Sequence, residues 1–512
     1  MKKAGKDGCF KLLWLMEIMI SLGLIFITNI RYFHYKLNAD IASEAILGKL
    51  IWTSKEIIPD SWYASTETRI LCAPNLSALF YGVTENMSLA MGITSCIMTV
   101  LIVVSMIYFG YALGLSIEQI LLLGFLALMM PSGFVQLELL YLFANYYAEH
   151  VIIMFLTLAI WAELFGGQKL RLWKGIILLI VAFVLGLQGV RGILVIYGPL
   201  FGMEAIRNIY FWYCKKKRSR YDIITSIWVC ALLIISFIGT LFPFSTGQDI
   251  SRNIRKGFEK LITVVVPDMG LVIGLGSGSA LVRISGIVFL LLMLGMLGRI
   301  LYRLLHREEV TGLEWTFLTI LASPVVSALM VAFTTIESSQ RYYFVLAFAM
   351  VFAVVLWIDR FKYKWKIVYT IFLLVFVFFK IKEIYIPVIN SPNIELNTEY
   401  QVVEFLEEEG YSIAYATFDN ANTMTVLSND AVRVASVATV SKMDICKWMT
   451  STEWYPPNVA YHQPTAYIIT ESEREEFQKL LDENPGMFLE INKIGKYYIF
   501  VSDYNFSNLG EE

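Results

Sequence analysis

Two carboxylates stand close together in the first long polar stretch of the sequence. Asp40 and Glu44 are four residues apart in LNADIASEAILGKLIW, so on a helix that begins near Asn38 both would project from one face. A carboxylate in this position could take the proton of a hydroxyl group that attacks a carbon atom. The competing interpretation is structural, because Asn38 and Asp40 are both residue types that cap a helix N-terminus. The pair therefore has two interpretations: one carboxylate is a general base with the other beside it, or the residues begin a helix and have no catalytic role.

A second polar set follows in DSWYASTETR at residues 60–69. It combines hydroxyls, an acid and a guanidinium: Tyr63, Ser65, Thr66, Glu67 and Arg69. Such a set suits hydrogen bonding to a sugar. Trp62 and Tyr63 would equally suit the aromatic belt at a membrane–water interface, so both interpretations stay open.

Membrane-spanning helices are the elements that would hold these groups. Hydrophobic residues make up 57% of the chain and its mean hydropathy is +0.62, whereas soluble domains are about 45–50% apolar. About eleven apolar runs approach the length of a span, at residues 12–31, 88–112, 118–133, 147–165, 175–190, 193–212, 222–242, 279–300, 313–333, 342–358 and 366–386. Long unbroken runs indicate helices rather than a barrel. We expect the first run to be a retained signal anchor.

Basic residues predict the orientation of the chain. The N-terminal lysines and four later basic stretches fall on one side if the chain crosses at each run, at residues 169–174, 215–220, 299–307 and 360–366. The positive-inside rule makes that side cytoplasmic. We therefore expect a multi-pass protein of the plasma membrane with a cytoplasmic N-terminus. Its transmembrane domain would cover residues 1–388, with a large first outer loop at 32–87 and a second at 243–278.

The second outer loop and the tail each have a pattern of their own. Between residues 250 and 265 the loop has apolar residues at helical spacing with basic residues between them, which predicts an amphipathic helix on the outer membrane surface. Arg255 and Lys256 on this helix would face either lipid headgroups or an anionic substrate phosphate. Residues 395–512 alternate short helix-like and strand-like segments. The fold class is thus an all-α polytopic membrane protein with a small extracytoplasmic α/β C-terminal domain.

Several stretches together resemble bacterial members of the GT-C glycosyltransferase superfamily, related to the protein O-mannosyltransferases and the ArnT-type lipid A aminoarabinose transferases. The first outer loop has D-x-x-S-E followed by W-Y-x-S-T-E-x-R. Four later stretches agree in order: GLQGVRGILVIYGPL (186–200), SQRYYF (339–344), YATFDNANTMTVLSND (415–430) and STEWYPP (451–457). Many relatives have adjacent Asp and Glu, whereas three residues separate Asp40 and Glu44 here. Which of the two acids is the base stays open.

The resemblance implies inverting transfer of a sugar from a polyprenyl-phosphate donor to an acceptor hydroxyl on the outer face. Asp40 matches the family's first-loop acid and would be the general base, while Glu44 would bind the acceptor or tune the base. Tyr63, Glu67 and Arg69 would contact sugar or acceptor. Tyr147 and His150, at the start of the fourth run, could line the cavity, although a structural role fits each of them as well.

Cations would stabilise the departing phosphate in that reaction. Arg341, at the outer end of a late span, is the first candidate. Alternatively, its side chain extends to the phosphates of membrane lipids. Arg191 is the second, and a pairing with Glu138 or Glu149 is its alternative role. Arg255 and Lys256 come third.

Cofactors and partners follow from the same interpretation. The sequence has no CxxC, HExxH or HxxxH, which argues against a zinc site, and whether a divalent cation such as Mg or Mn assists stays open. The expected partners are a polyprenyl-phosphate-linked sugar, the lipid bilayer and an acceptor glycan, lipid or protein, with no nucleic acid.

Three other classes of protein fit parts of the sequence. A transporter or flippase of lipid-linked sugars would also be multi-pass, but many transporters have internal repeats and we find none here. A polysaccharide polymerase or ligase would concentrate arginines in a late outer loop and lack a folded C-terminal domain. A non-catalytic membrane scaffold is the remaining alternative.

Overall fold

The computed structural model describes residues 2–65, 67–167, 171–215, 218–242, 251–252, 254–358, 360–456, 462–507 and 509. The chain is mostly helical, and its strands lie beyond residue 412 apart from one of two residues in the first loop. Both features agree with the predicted fold class. Ile250 of the predicted amphipathic helix, Thr66 of the second polar set and residues 243–249 of the second outer loop lie outside the described residues.

The helices follow the predicted apolar runs closely. In chain order they are α1 (Lys2–Arg31), α2 (Ala39–Ser54), α3 (Ala73–Thr84), α4 (Met87–Ala112), α5 (Ile117–Leu128), α6 (Phe134–Leu140), α7 (Ala148–Phe165), α8 (Leu172–Gln188), α9 (Gly198–Tyr213), α10 (Arg220–Gly239), α11 (Ile254–Lys260), α12 (Val266–Val272), α13 (Ala280–Leu305), α14 (Gly312–Ala332), α15 (Val345–Ile358), α16 (Tyr363–Lys380), α17 (Ile386–Ile389), α18 (Thr398–Glu408), α19 (Phe418–Leu427) and α20 (Arg474–Glu483). Single π-helical turns, Ile193–Tyr197, Leu261–Val265 and Ile381–Tyr385, precede α9, α12 and α17.

Six helices in the described part of the chain are long and apolar enough to cross a membrane: Gly8–Arg31, Met87–Ala112, Arg220–Gly239, Ala280–Leu305, Gly312–Ala332 and Gln340–Ile358. The protein is therefore multi-pass, as predicted. The count of eleven spans is not confirmed, because several of the other runs form shorter helices. One of them, α5, has 12 residues, whereas a perpendicular span needs about 20.

The chain divides into two compact units. One comprises Met1–Phe26 and Cys96–Pro387, and is termed the helix unit; the other comprises Ile27–Ser95 and Val388–Glu512, and is termed the sheet unit. In the helix unit α15 packs against α5, α13 and α14. Its side chains are buried on all faces, as expected of a helix that is apolar all round. It is the centre of the helical core.

The seven strands found among the described residues all belong to the sheet unit: β1 (Trp62–Tyr63), β2 (Ile413–Thr417), β3 (Arg433–Val437), β4 (Thr450–Ser451), β5 (His462–Thr470), β6 (Leu489–Ile494) and β7 (Tyr497–Tyr504). Five of them form a mixed sheet in the order β3-β2-β5-β7-β6. β2 runs parallel to β3 and β5, and β7 runs antiparallel to β5 and β6. Val402 of α18 and Met424 of α19 pack on one face, and Phe477 of α20 packs on the other. This is the predicted small α/β region.

The first loop contributes its own helices and strand to the sheet unit. α2 packs against α3, where Leu47, Ile51 and Ala78 form a small apolar cluster, and also against α19. β1 pairs antiparallel with β4, so that Trp62 faces Ser451 and Tyr63 faces Thr450. The helix that carries Asp40 and Glu44 is therefore held by residues from both ends of the chain.

Candidate functional site

The start of α2 distinguishes Asn38 from Asp40. The side-chain oxygen of Asn38 accepts a hydrogen bond from the Ile41 amide at 2.9 Å, so Asn38 is the N-cap. Asp40 lies in the first helical turn with a half-buried side chain. Among the described residues, no side chain or amide donates a hydrogen bond to its carboxylate, and no cation pairs with it. The Asp40 carboxylate is thus available as a proton acceptor.

Glu44, one turn further along α2, has a different environment. It is 2% exposed, and its Oε1 accepts hydrogen bonds from Nε and Nη2 of Arg69 at 2.9 and 2.7 Å. A guanidinium that donates twice compensates the charge of a buried carboxylate. The structure thus brings together two predicted site residues that the sequence analysis had placed in separate sets. The sequence offered no signal for this pairing beyond the opposite charges.

Stretches from the C-terminal part of the chain surround α2. The Ser43 hydroxyl, between the two acids, lies 3.7 Å from the Met449 sulfur, and the Asn422 amide donates to the Met449 carbonyl at 3.1 Å. Further along α2, Lys49 Nζ pairs with Asp430 at 2.6 Å. The stretches 415–430 and 451–457, on which the GT-C resemblance rests, therefore contact the first loop, up to Pro456, where the described residues pause.

Tyr63 and Glu67 are placed by the same part of the sheet unit. Tyr63 is half-buried in β1, and Lys447 Nζ lies 6.0 Å from the centroid of its ring. Glu67 is half-buried in the loop that leads to Arg69. A role of these two side chains in sugar binding stays a prediction.

A second cluster of predicted residues lies in the helix unit. α8 ends at Gln188, and Gly189 has φ 140°, a backbone conformation that is open to glycine and rarely to other residues. Arg191 follows this break, and its guanidinium lies 4.1 Å from the centroid of the Tyr147 ring, a cation–π distance. Tyr147 in turn stacks on Phe344 at 5.3 Å and meets His150 edge-on at 6.1 Å. Arg191, Tyr147 and His150 are thus brought together.

Arg341 lies at the start of the stretch that supplies Phe344. It belongs to the 3₁₀ turn Gln340–Tyr343, is exposed, and donates from Nε to Ser339 Oγ at 3.3 Å. Within the described chain no carboxylate pairs with it. Its guanidinium therefore keeps most of its donors available to an anion.

Arg255 and Lys256 are exposed on α11. This helix docks through Gly257, where an added Cβ would clash with the Phe333 ring, and through Lys260, whose Nζ donates to the carbonyls of Thr334 and Ile336. The docking leaves Ile254 and Phe258 65% and 68% exposed. α11 is thus amphipathic, and its basic residues are accessible.

No group of three or more His, Cys, Asp or Glu side chains in the described chain is arranged to hold a metal ion. We therefore assign no residue to a divalent cation and derive no chemical step through one.

Comparison with known proteins gives a match at the level of structure. No protein-family model matches the sequence, and no curated protein matches it. Among solved structures, ArnT from Cupriavidus metallidurans in the apo state superposes with a TM-score of 0.52 at 10% sequence identity, and the match covers 98% of each chain. The oligosaccharyltransferase of Archaeoglobus fulgidus, tethered with an acceptor peptide, gives a TM-score of 0.49 at 10% identity over 92% of this chain and 68% of that chain.

The match to ArnT extends over both the helix unit and the sheet unit, because it covers nearly the whole chain. A likeness of this kind with so little sequence identity establishes the fold and leaves the activity to be tested. It agrees with the resemblance found in the sequence. The chain has the fold of the GT-C superfamily.

Proposed function

We propose that this protein is an integral membrane glycosyltransferase with Asp40 as its general base. It would move a sugar from a polyprenyl-phosphate-linked donor to a hydroxyl of an acceptor glycan, lipid or protein at the outer face of the plasma membrane. The ArnT-like fold supports the class of protein. The observation that carries the chemical assignment is the contrast on α2, where Asp40 has no partner in the described chain and Glu44 is held by Arg69.

The proposed reaction needs one proton acceptor and a stabilised leaving group. The acceptor oxygen attacks the anomeric carbon as Asp40 takes its proton, and a new carbon–oxygen bond forms. The bond from the anomeric carbon to the phosphate oxygen breaks, and its electron pair leaves with the polyprenyl phosphate. Because attack and departure occur on opposite sides of the carbon, the anomeric configuration inverts.

Glu44 acts in this proposal as a positioning residue. Its Oε1 accepts two hydrogen bonds from the Arg69 guanidinium, so this oxygen is already engaged. The pair fixes the loop at Arg69 to α2, and Glu67 and Tyr63 of the same loop would contact sugar or acceptor in this proposal. In the helix unit, Tyr147 and His150 would contribute a ring face and an imidazole to sugar recognition.

Arg341 is the proposed principal ligand of the donor phosphate. Its donors are mostly open, and a guanidinium binds phosphate oxygens in pairs. Arg191 would support it from its place on the Tyr147 ring. Arg255 and Lys256, exposed on α11, would attract the anionic donor from the lipid surface.

The test is sugar transfer by purified protein from a panel of radiolabelled polyprenyl-phosphate sugars to crude envelope acceptor. We expect Asp40→Asn to abolish transfer and to retain donor binding, because the amide keeps the shape but accepts no proton. Glu44→Gln should retain measurable transfer, and Arg341→Ala should raise the donor KM at unchanged acceptor KM. Wild-type turnover by Asp40→Asn would refute the assignment of the base. Movement of labelled lipid across liposomes without any transfer would establish the transporter class instead.

A further inference from the structure

A pocket of about 240 Å³ lies inside the sheet unit, and none of the proposed catalytic, phosphate-binding or sugar-binding residues lines it. Its floor is apolar and includes Ile46, Leu50 and Met87. Charged, hydroxyl and aromatic groups form the rest of the lining: Lys49, Thr53, Thr425, Asp430, Arg433, Ser451, Glu453 and Trp454. The pocket is therefore an amphipathic cavity rather than an apolar groove.

α2 separates this pocket from the candidate base. Four pocket residues of α2 have the spacing of a single helical face: Ile46, Lys49, Leu50 and Thr53. At about 100° per residue, Lys49 lies about 180° round the helix from Asp40. The pocket is thus a second site on the opposite face of the helix that carries the base.

The charges of the pocket balance one another. The Asp430 carboxylate pairs with Lys49 Nζ at 2.6 Å and accepts from Nε and Nη2 of Arg433 at 3.1 and 3.0 Å. Glu453 adds a second carboxylate to the two cations. With no net charge to compensate, an anion or a cation has no advantage here, and a neutral ligand with many hydroxyls fits best. Carboxylates accept from such hydroxyls, and the cations donate to them.

An aromatic side chain completes the chemistry. Trp454 is half-buried at the pocket, and the Arg433 guanidinium lies 5.9 Å from the centroid of its ring. An indole face packs against the apolar C–H face of a sugar ring while the sugar hydroxyls turn to polar neighbours. Indole, balanced carboxylates and cations, and an apolar floor are together the chemistry that binds a neutral sugar.

The turn that supplies Asp430 is backbone-strained. Asn429 and Asp430 have φ values of 52° and 70°, and each residue in this left-handed region costs on the order of 1 kcal/mol. Asn429 is held there because its side chain donates to the Glu85 carbonyl and accepts from the Met87 amide, at 2.9 and 3.0 Å. The turn aims Asp430 at the pocket, and a strained residue held at a cavity points to binding.

We infer that this pocket binds a neutral sugar unit of the acceptor, which makes the acceptor a glycan. The identity of the bound glycan as acceptor rests on the proposed function, whereas the binding itself does not. The pocket would hold a sugar unit of the acceptor chain other than the one that reacts, because it lies on the face of α2 away from Asp40.

The test uses the full chain in nanodiscs without any sugar-based detergent, since such detergents would compete for the pocket. Saturation-transfer NMR measures binding of four neutral trisaccharides: maltotriose, cellotriose, mannotriose and N,N′,N″-triacetylchitotriose. We expect at least one to bind, with about tenfold weaker binding to Trp454→Ala and Glu453→Gln. Trp448→Ala is the matched control, because Trp448 is a 38% exposed indole of the same unit that does not line the pocket. It should bind as wild type does.

The other outcomes distinguish failure of the sugar-binding pocket from failure of the proposed glycosyltransferase function. If no trisaccharide binds to wild type, the proposal that the pocket binds a neutral sugar is wrong. It is also wrong if Trp448→Ala weakens trisaccharide binding as much as Trp454→Ala does. Competition by inorganic phosphate would also overturn it, because a charge-balanced site has no preference for an anion. Weaker binding to Asp40→Asn would move the sugar to the site of the base. Trisaccharide binding that depends on Trp454, in a protein that transfers no sugar, would leave the pocket intact and refute the proposed function. If Trp454→Ala does not fold, Glu453→Gln alone tests the pocket, because Glu453 is exposed and its substitution leaves the core unchanged.

Discussion

Asp40 and Glu44 show how the surroundings of a residue decide its role. Both are acids on one face of α2, and their spacing alone does not rank them. Asp40 is half-buried with no partner in the described chain, whereas Glu44 is 2% exposed and bound twice by Arg69. A buried charge is stable only while its counter-charge stays beside it. The ion pair with Arg69 therefore favours a structural role for Glu44. In the proposed reaction the base is therefore Asp40, the acid without a cation partner in the described chain.

Arg69→Gln tests this division of roles. Removing the guanidinium leaves the Glu44 charge buried without its cation, which costs about 3 kcal/mol or more. We expect a lower midpoint of thermal unfolding, and partial recovery in the double variant Glu44→Gln/Arg69→Gln, where neither charge remains. Unfolding of Arg69→Gln at the wild-type temperature would show that the pair contributes nothing to stability.

Asp430 predicts a dependence of stability on pH. Burial raises the pKa of its carboxyl, but hydrogen bonds from Arg433 and Lys49 outweigh burial, so the pKa lies below its ordinary value of 3.8. The folded chain therefore holds this proton less tightly than the unfolded chain. Its contribution to stability is complete above pH 3.8 and is lost as the pH falls through the lower folded-state pKa.

The corresponding measurement compares thermal unfolding of wild type and Asp430→Asn from pH 7 downward. The variant should be less stable at pH 7, and the difference should narrow below pH 3.8. Asp419→Asn is the control, because Asp419 is an exposed acid of α19 with no ion pair to any described residue. A difference between wild type and Asp430→Asn that stays constant with pH would rule out this ion pair as the cause.

At the scale of elements, the helix cap connects stability with catalysis. Asn38 holds the first turn of α2, and Asp40 lies in that turn. Asn38→Ala should cost about 1 kcal/mol and, by fraying the turn, lower kcat more than it changes the donor KM. Asn38→Asp should restore both, because Asp is an equally good cap. Loss of kcat in both variants would indicate that Asn38 has a role other than capping.

Local patterns predicted the regular elements well and the contacts between them poorly. The predicted alternation of short helices and strands in residues 395–512 is present as α18, β2, α19 and β3, because period and composition are local signals. The pairing of β1 with β4 joins two strands of two residues each, too short to have a period. The Glu44–Arg69 pair likewise depends on how the loop between them folds. The sequence proposed the site residues, and the fold decided which of them meet.

At the scale of the whole molecule, hydropathy predicts the membrane class but leaves the number of spans open. α15 is apolar on every face because it is the centre of a bundle, and α5 is also strongly apolar beyond its first turn although it has only 12 residues. A window that averages apolar residues responds in the same way to a span and to a short buried helix. Counting spans therefore requires the helix ends, which only the structure supplies.

The orientation of the chain is the expectation on which the outer-face chemistry depends. Basic stretches predict a cytoplasmic start of α16 and an extracytoplasmic sheet unit. Lys364 at the start of α16 and Lys479 on α20 are both exposed, which makes them a matched pair for cysteine substitution in a variant without the six native cysteines. A membrane-impermeant maleimide should label Lys479→Cys in intact cells, and Lys364→Cys only after permeabilisation. The reverse labelling pattern would place Asp40 and the sheet unit in the cytoplasm. The donor would then have to present its sugar on the inner leaflet.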